Sequence, residues 1–140
     1  MRGKQVDHVI DGIILSKYEI HQDNRGELGV FESGSGVSFV MKRVFYMKPS
    51  SPAAVRAEHS VSATQALVAL SGSVTADLDN GNEQQSITLY PNQFVLTIMP
   101  GVWLRLRDFT QDSILLVISS LTYAETTYSS VPCFYAVSNA

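Results

Sequence analysis

The sequence predicts an all-β sandwich or barrel, and three observations carry that prediction. Short runs rich in Val, Ile, Thr, Phe and Tyr recur along the chain. Turn clusters of Gly, Pro, Asn, Asp and Ser separate them at spacings of roughly 8–12 residues. No segment holds the apolar period of an amphipathic helix. At 140 residues the chain is expected to form one domain. That size allows about two-thirds of the extended-chain surface to be buried.

The elements follow in order. Residues 6–15 mix β-branched and polar positions. Gln22-Asp23-Asn24-Arg25-Gly26 reads as a turn that leads into a strand over 28–32. Residues 37–47 (VSFVMKRVFYM) are the richest β-branched and aromatic run, with Lys42 and Arg43 in the middle. Pro49-Ser50-Ser51-Pro52 breaks the pattern. Residues 65–70 form a short apolar run, Ser71-Gly72-Ser73 interrupts it, and 74–78 resumes in strict alternation. Asn80-Gly81 is the strongest hairpin signal and reads as a type I′ turn, whose two central residues need positive φ. Strands at 85–90 and 94–99 are set off by Pro91-Asn92 and Pro100-Gly101. Along the next strand Val102, Leu104 and Leu106 share one face and Trp103, Arg105 and Arg107 the other. Residues 113–119 (SILLVIS) read as a fully buried strand. Residues 122–140 form an irregular tail, with Tyr123, Tyr128, Phe134 and Tyr135 available to pack on the barrel.

Composition excludes several classes. Apolar residues make up 45% and charged residues 16%, so a core is expected rather than disorder. A net charge of −3 with no basic block argues against a nucleic-acid partner. No run approaches the ~20 apolar residues of a membrane span. MRGKQVDHVIDG lacks the apolar core of a signal peptide, so a cytoplasmic location is expected. Cys133 is the one cysteine. It leaves no intramolecular disulfide and no thiolate zinc cluster, and reads as an inert thiol.

Chemistry concentrates near Arg56 and His59, three apart in a polar segment; His8 and His21 lie far upstream. Imidazole titrates near neutrality, which makes His59 the acid–base candidate, although a lone histidine is more often structural or merely exposed. Lys42 and Arg43 point to opposite sides of their strand. A cation facing the interior needs an anion, whereas one on the outer face is simply solvated. Trp103, Arg105 and Arg107 on one face would suit stacking and a phosphate clamp, or else form a solvated charged face. A metal site is not expected. Val61 stands two after His59, no histidine follows, and one imidazole with Glu58 or Glu83 is too few ligands.

Asn24-Arg25-Gly26-Glu27-Leu28 is similar to an Arg-Gly-x-Leu entry motif. Met41-Lys42-Arg43-Val44-Phe45-Tyr46 resembles a Lys-Arg-Val-Tyr-Tyr strand, and Arg56-Ala57-Glu58-His59 an Arg-Gly-x-His motif. Residues 65–73 resemble a Gln-to-Gly-Ser strand. Leu78-Asp79-Asn80-Gly81 is similar to an Asp-Asp-Gly hairpin and Pro100-Gly101-Val102-Trp103 to a Pro-x-x-Trp turn. Asp108-Phe109 and the stretch from Tyr123 to Tyr128 continue the series. In this order and spacing, over roughly residues 23–135, the chain resembles the cupin-type dTDP-4-keto-6-deoxyglucose 3,4-ketoisomerases, the WxcM-like family.

The resemblance implies a single cupin or jelly-roll β-barrel over residues 1–140. It implies a homodimer through exchanged N-terminal strands, a dTDP-sugar in the barrel mouth, and neither metal nor cofactor. The implied reaction moves a hexose ketone from C4 to C3 by proton transfer. His59 would be the acid–base group, with Tyr46 or Glu58 as a second proton carrier. Arg25, Lys42, Arg43, Arg56, Gln65, Trp103 and Arg105 would bind substrate. The chain departs from the family pattern where Val61 and Leu104 replace two histidines and Ala57 replaces a glycine. Those departures leave a second reading open: a nucleotide-sugar-binding or structural cupin without isomerase chemistry.

Overall fold

A computed structural model describes residues 8–134; Val6 and Tyr135, both assigned above to elements, lie outside them. Fourteen strands and no helix occur among the described residues. They are β1 (Ile13–Ser16), β2 (Glu19–Asp23), β3 (Gly26–Val30), β4 (Glu32–Ser33), β5 (Gly36–Val37), β6 (Arg43–Met47) and β7 (Arg56–Val61). β8 (Gln65–Ser71), β9 (Val74–Asp79), β10 (Gln84–Leu89), β11 (Val95–Ile98), β12 (Trp103–Arg107), β13 (Ile114–Ser119) and β14 (Tyr128–Ser129) complete the set. Two five-stranded sheets face each other. Their orders are β1-β11-β8-β13-β6 and β10-β9-β12-β7-β14, and every pair within them is antiparallel.

Alternation along the strands builds the core between the sheets. Leu67, Leu96, Leu115 and Val117 of the first sheet meet Val74, Ala76, Leu78, Leu104 and Leu106 of the second. The expected split of the β12 strand holds: Leu104 and Leu106 are buried, while Trp103, Arg105 and Arg107 face outward. The first sheet is also covered on its outer side. Tyr18, Phe31, Phe39 and Met41 pack there over Ala66, Val68, Val95 and Ile118. Burial on both faces is why β8 and β13 read as nearly continuous apolar runs.

Several expected boundaries shift for identifiable reasons. β1 begins only at Ile13, after a turn at Gly12, whose φ is +95°. The long run over 37–47 is not one strand: Val37 ends the short β5 and the next strand begins only at Arg43, and between them Phe39 and Met41 cover the first sheet. Gly72 does more than interrupt. It passes the chain from β8 in one sheet to β9 in the other, at φ +64°, where a Cβ would lie 2.2 Å from Thr110 Oγ1. The β9–β10 connection is a four-residue loop, since Asp79 pairs with Gln84, and not the type I′ turn. Asn80 explains the difference. Its Oδ1 accepts from the backbone N–H groups of Asn82 and Glu83, both at 2.8 Å, and its Nδ2 donates to the Asp11 carbonyl at 2.9 Å.

The outer face of the second sheet is organised around Asp77, whose side chain is only 13% exposed. Asp77 lies directly opposite Ser86 on one side and Arg105 on the other. It accepts from Ser86 Oγ at 2.7 Å, from Arg105 Nε at 2.9 Å and from Arg107 Nε at 2.7 Å. The Arg107 bond, foremost, holds its carboxyl far below the ordinary value of 3.8. Asp77→Asn is expected to cost about 1.5–3 kcal/mol at neutral pH, the range for hydrogen bonds to charged groups. A depressed carboxylate stabilises above its ordinary pKa and loses that contribution as pH falls below it. The gap between wild type and variant in urea unfolding should therefore be full at pH 7 and shrink below about pH 4; a gap independent of pH would contradict the ionic role.

Candidate functional site

The site is built where β7 departs from regular geometry. Leu104 pairs with His59 while its neighbour Arg105 pairs with Ala57, so Glu58 is an extra residue in β7. Both bulge residues are left-handed, Ala57 at φ +71° and Glu58 at φ +63°. Bulges re-aim side chains. Here Arg56, Ala57 and His59 all border one cavity, and Glu58 is left exposed outside it.

That cavity, about 170 Å³, lies between β6, β8 and β13 on one side and β7 and β12 on the other, at the end capped by Tyr128. Its floor is apolar: Phe45, Met47, Leu67, Leu104, Leu106 and Val117. Its polar groups are Arg43, Arg56, His59, Gln65 and Tyr128, with no carboxylate in the lining. Among the described residues neither arginine has a salt-bridge partner. Arg43 is instead held by aromatic faces, its guanidinium carbon 4.3 Å from the Phe45 ring centre and 5.2 Å from that of Tyr123. Cation–π contact fixes a guanidinium without neutralising it, so its N–H donors remain free for an anionic or electron-rich ligand. His59 stands edge-on to Tyr128, ring centres 5.1 Å apart at 71°, and its Nδ1 is buried with no hydrogen-bond partner among the described residues.

Four of the sequence-predicted residues thus converge: His59, Arg43, Arg56 and Gln65. Five do not line this cavity. Tyr46 points to the opposite face of β6 and is 67% exposed, because strand alternation sends Arg43, Phe45 and Met47 inward. Lys42 pairs with Glu125 at 3.4 Å. Arg25 sits at the exposed tip of the β2–β3 hairpin, paired with Asp23. Trp103 and Arg105 lie on the outer face of the second sheet, where Asp77 occupies the Arg105 guanidinium. Tyr128 and Tyr123 were expected only to pack on the barrel, and Phe45 carried no expectation. Phe45 and Tyr128 line the cavity and Tyr123 lies against the Arg43 guanidinium; these places depend on the path of the tail and on β6 alternation, and no local motif signals them.

Val61 and Leu104, where the resemblance implies histidines, differ in placement. Leu104 lines the cavity, whereas Val61 is buried beneath β14 and pairs with Tyr128. The barrel end is not filled by side chains. Among the described residues no group of three His, Cys, Asp or Glu is placed to hold a metal ion.

Two facing antiparallel sheets with a cationic, carboxylate-free cavity around one imidazole define a cupin-type β-barrel suited to an anionic or enolic ligand. Residues 11–136 match the family model described as WxcM-like, C-terminal (FdtA), and the chain belongs to that family. It is 37% identical over 109 residues to the TDP-4-oxo-6-deoxy-alpha-D-glucose-3,4-oxoisomerase of Aneurinibacillus thermoaerophilus, covering 76% of this chain and 77% of that one. A point mutant of the 3,4-ketoisomerase QdtA from Thermoanaerobacterium thermosaccharolyticum, solved with TDP-4-keto-6-deoxyglucose, superposes with a TM-score of 0.82 at 32% identity over 87% and 89% of the two chains. The TDP-quinovose 3,4-ketoisomerase WlaRB of Campylobacter jejuni gives 0.81 at 29% identity over 86% and 94%. The expected family and fold are borne out.

The bulge itself is testable. An L-residue in the left-handed region costs about 1–2 kcal/mol, which glycine avoids at the expense of its own unfolded-state entropy. Ala57→Gly is therefore expected to raise stability by up to about 1 kcal/mol in urea unfolding. A loss well beyond the roughly 0.8 kcal/mol that the packed Ala57 methyl contributes would contradict a left-handed backbone there.

Proposed function

We propose that this chain is a sugar 3,4-ketoisomerase acting on a nucleotide-linked 4-keto-6-deoxyhexose of the dTDP type. The observation that carries the reading is the single imidazole in a cavity with two unpaired guanidinium groups and no carboxylate. The cavity is smaller than the ~300–1,000 Å³ of pockets that enclose whole drug-sized ligands. It accommodates the hexose ring, with the diphosphate lying at the mouth.

His59 removes the proton from C3, and the bonding pair becomes the C3=C4 double bond of an enediolate as charge moves to O4. Arg43, Arg56 and Gln65 supply N–H donors for that developing oxyanion, where fixed donors in a water-poor site act most strongly. The O3 hydroxyl proton passes to O4 and the proton carried by His59 is delivered to C4, which leaves the ketone at C3 and a hydroxyl at C4. Atoms and electrons balance with no oxidant, reductant or cofactor. An imidazole is suited to both steps because one ring nitrogen can accept a proton and later return it.

The decisive experiment follows deuterium from D₂O into the C3 position of dTDP-4-keto-6-deoxyglucose by NMR. Wild type is expected to exchange and isomerise, and His59→Ala to lose about 10²–10⁴-fold in rate, the usual worth of a general base. Undiminished exchange in His59→Ala would place the base elsewhere. A thermal shift with dTDP but no exchange in wild type would favour the binding-only reading, to which Leu104 in the cavity lends weight.

The proposal includes a cytoplasmic homodimer. The free thiol Cys133 suits a reducing compartment. The outer face of the first sheet leaves Val40, Val44, Tyr46 and Leu70 between 47% and 73% exposed beside its covered part, and a second copy would bury them. Sedimentation is expected at twice 15.4 kDa, and Tyr46→Asp is expected to shift the population toward monomer. A wild-type monomer at micromolar concentration would overturn this part.

A further inference from the structure

We infer that Tyr128, seated by a C-terminal strap, is the positioning residue that orients His59; the inference rests on the acid–base role proposed above. A histidine that moves protons is usually aimed by a hydrogen bond to its second ring nitrogen. His59 has none at Nδ1, which is buried without a partner among the described residues. The specific contact its ring makes is the edge-on one with Tyr128, at 5.1 Å and 71°. Aromatic pairs in that geometry hold a ring orientation beyond what area burial gives.

Tyr128 is placed by a seat outside the cavity. β14 is a two-residue edge strand, pairing Tyr128 with Val61 and Ser129 with Ser60. Around it, Ser62 N–H donates to the Thr127 carbonyl at 3.0 Å and Thr127 N–H to Ser62 Oγ at 2.9 Å. Ser60 Oγ donates to the Val131 carbonyl at 2.7 Å, and Cys133 N–H to the Gly101 carbonyl at 2.7 Å. Gly101 is indispensable to the last of these. Its φ is +89°, and a Cβ would lie 2.5 Å from the Cys133 carbonyl. Val61 gains a meaning here. Where the family pattern has a second imidazole, this chain has a buried apolar residue in the seat of the strap.

Three variants test the assignment: Tyr128→Ala, Tyr128→Phe and Gly101→Ala, the last remote from the cavity. Two readouts are taken on each: kcat and KM for isomerisation, and the ring C–H NMR shifts of His59 in ¹³C-histidine-labelled protein, assigned by their loss in His59→Ala. Tyr128→Ala and Gly101→Ala are expected to lower kcat by about 10–100-fold through misalignment while KM moves less than about threefold. Both should displace the His59 resonances. Tyr128→Phe keeps the ring contact, so it is expected to hold kcat within about threefold of wild type, with His59 shifts close to wild type. Loss in Tyr128→Phe as deep as in Tyr128→Ala would overturn the assignment by giving the hydroxyl a direct part. Unmoved kcat and unmoved His59 shifts in Tyr128→Ala would overturn it outright. Should Gly101→Ala fail to fold, the two Tyr128 variants decide alone. Should wild type not isomerise at all, the functional reading fails, and NOEs from the His59 ring C–H to the Leu104 methyls in Tyr128→Ala, which do not depend on the Tyr128 ring current, still decide: NOEs unchanged from wild type would overturn the assignment.

Discussion

The backbone at Ala57 and Glu58 is the constraint on which the site depends. A regular β7 would spend two residues of its own for every two of β12 and would send side chains alternately in and out. With one extra residue and two left-handed φ angles, the strand brings Arg56, Ala57 and His59 to the same cavity. Non-glycine residues held in that region are costly and persist only where the surroundings over-determine them. β7 is over-determined in this way. It is ladder-bonded to β12 on one side and to β14 on the other, and its C-terminal half is anchored through Ser60 and Ser62 to the strap.

Charge placement explains why convergence at this one cavity matters. The chain has guanidinium groups on both sides of the second sheet. On the outside Asp77 takes Arg105 and Arg107 together, producing a stable row with little potential left for a ligand. Inside, Arg43 is held by Phe45 and Tyr123 and Arg56 has no carboxylate partner among the described residues. The same residue type is therefore ion-paired on one face and cavity-facing without a carboxylate on the other, and what separates the two is whether a carboxylate lies opposite in the ladder. A cavity that keeps its cations unpaired stabilises developing negative charge without first having to break an ion pair.

Most of the fold was legible because the pattern that encodes it is local. Alternation at Val74–Ala76–Leu78 and Leu104–Leu106 is the inner face of the second sheet, and the apolar run over 113–119 is a strand covered on both sides. The misread points are those where a side chain acts beyond its own segment. Asn80 reaches the Asp11 carbonyl and so opens a two-residue turn into four. Phe39 and Met41 leave their strand to cover the first sheet. The site was half legible for the same reason. His59, Arg56 and Gln65 lie close in sequence, and Arg43 sits inside an apolar run. Tyr128 comes 69 residues after His59, and only the path of the strap brings the two rings together. Tyr46 misled because the choice between Phe45 and Tyr46 as the inward residue turns on where the strand begins, a boundary the run over 37–47 does not mark.

The two missing imidazoles look less damaging in this geometry than in the sequence. An isomerisation between adjacent carbons needs one group to carry a proton and several to hold charge on oxygen. Removing a general base costs about 10²–10⁴ in rate, and removing one oxyanion donor about 10²–10³. The cavity keeps one imidazole and gathers Arg43, Arg56 and Gln65 around it. Of the positions where the resemblance implies histidine, Leu104 is a wall of the cavity beside His59 in the ladder, and Val61 pairs with Tyr128 of β14. The one at Val61 has become part of the support for the imidazole that remains. On the proposed reading, a site reduced in this way has fewer proton carriers but keeps three donors around one imidazole, which edge-on packing against Tyr128 holds in place of a hydrogen bond at Nδ1.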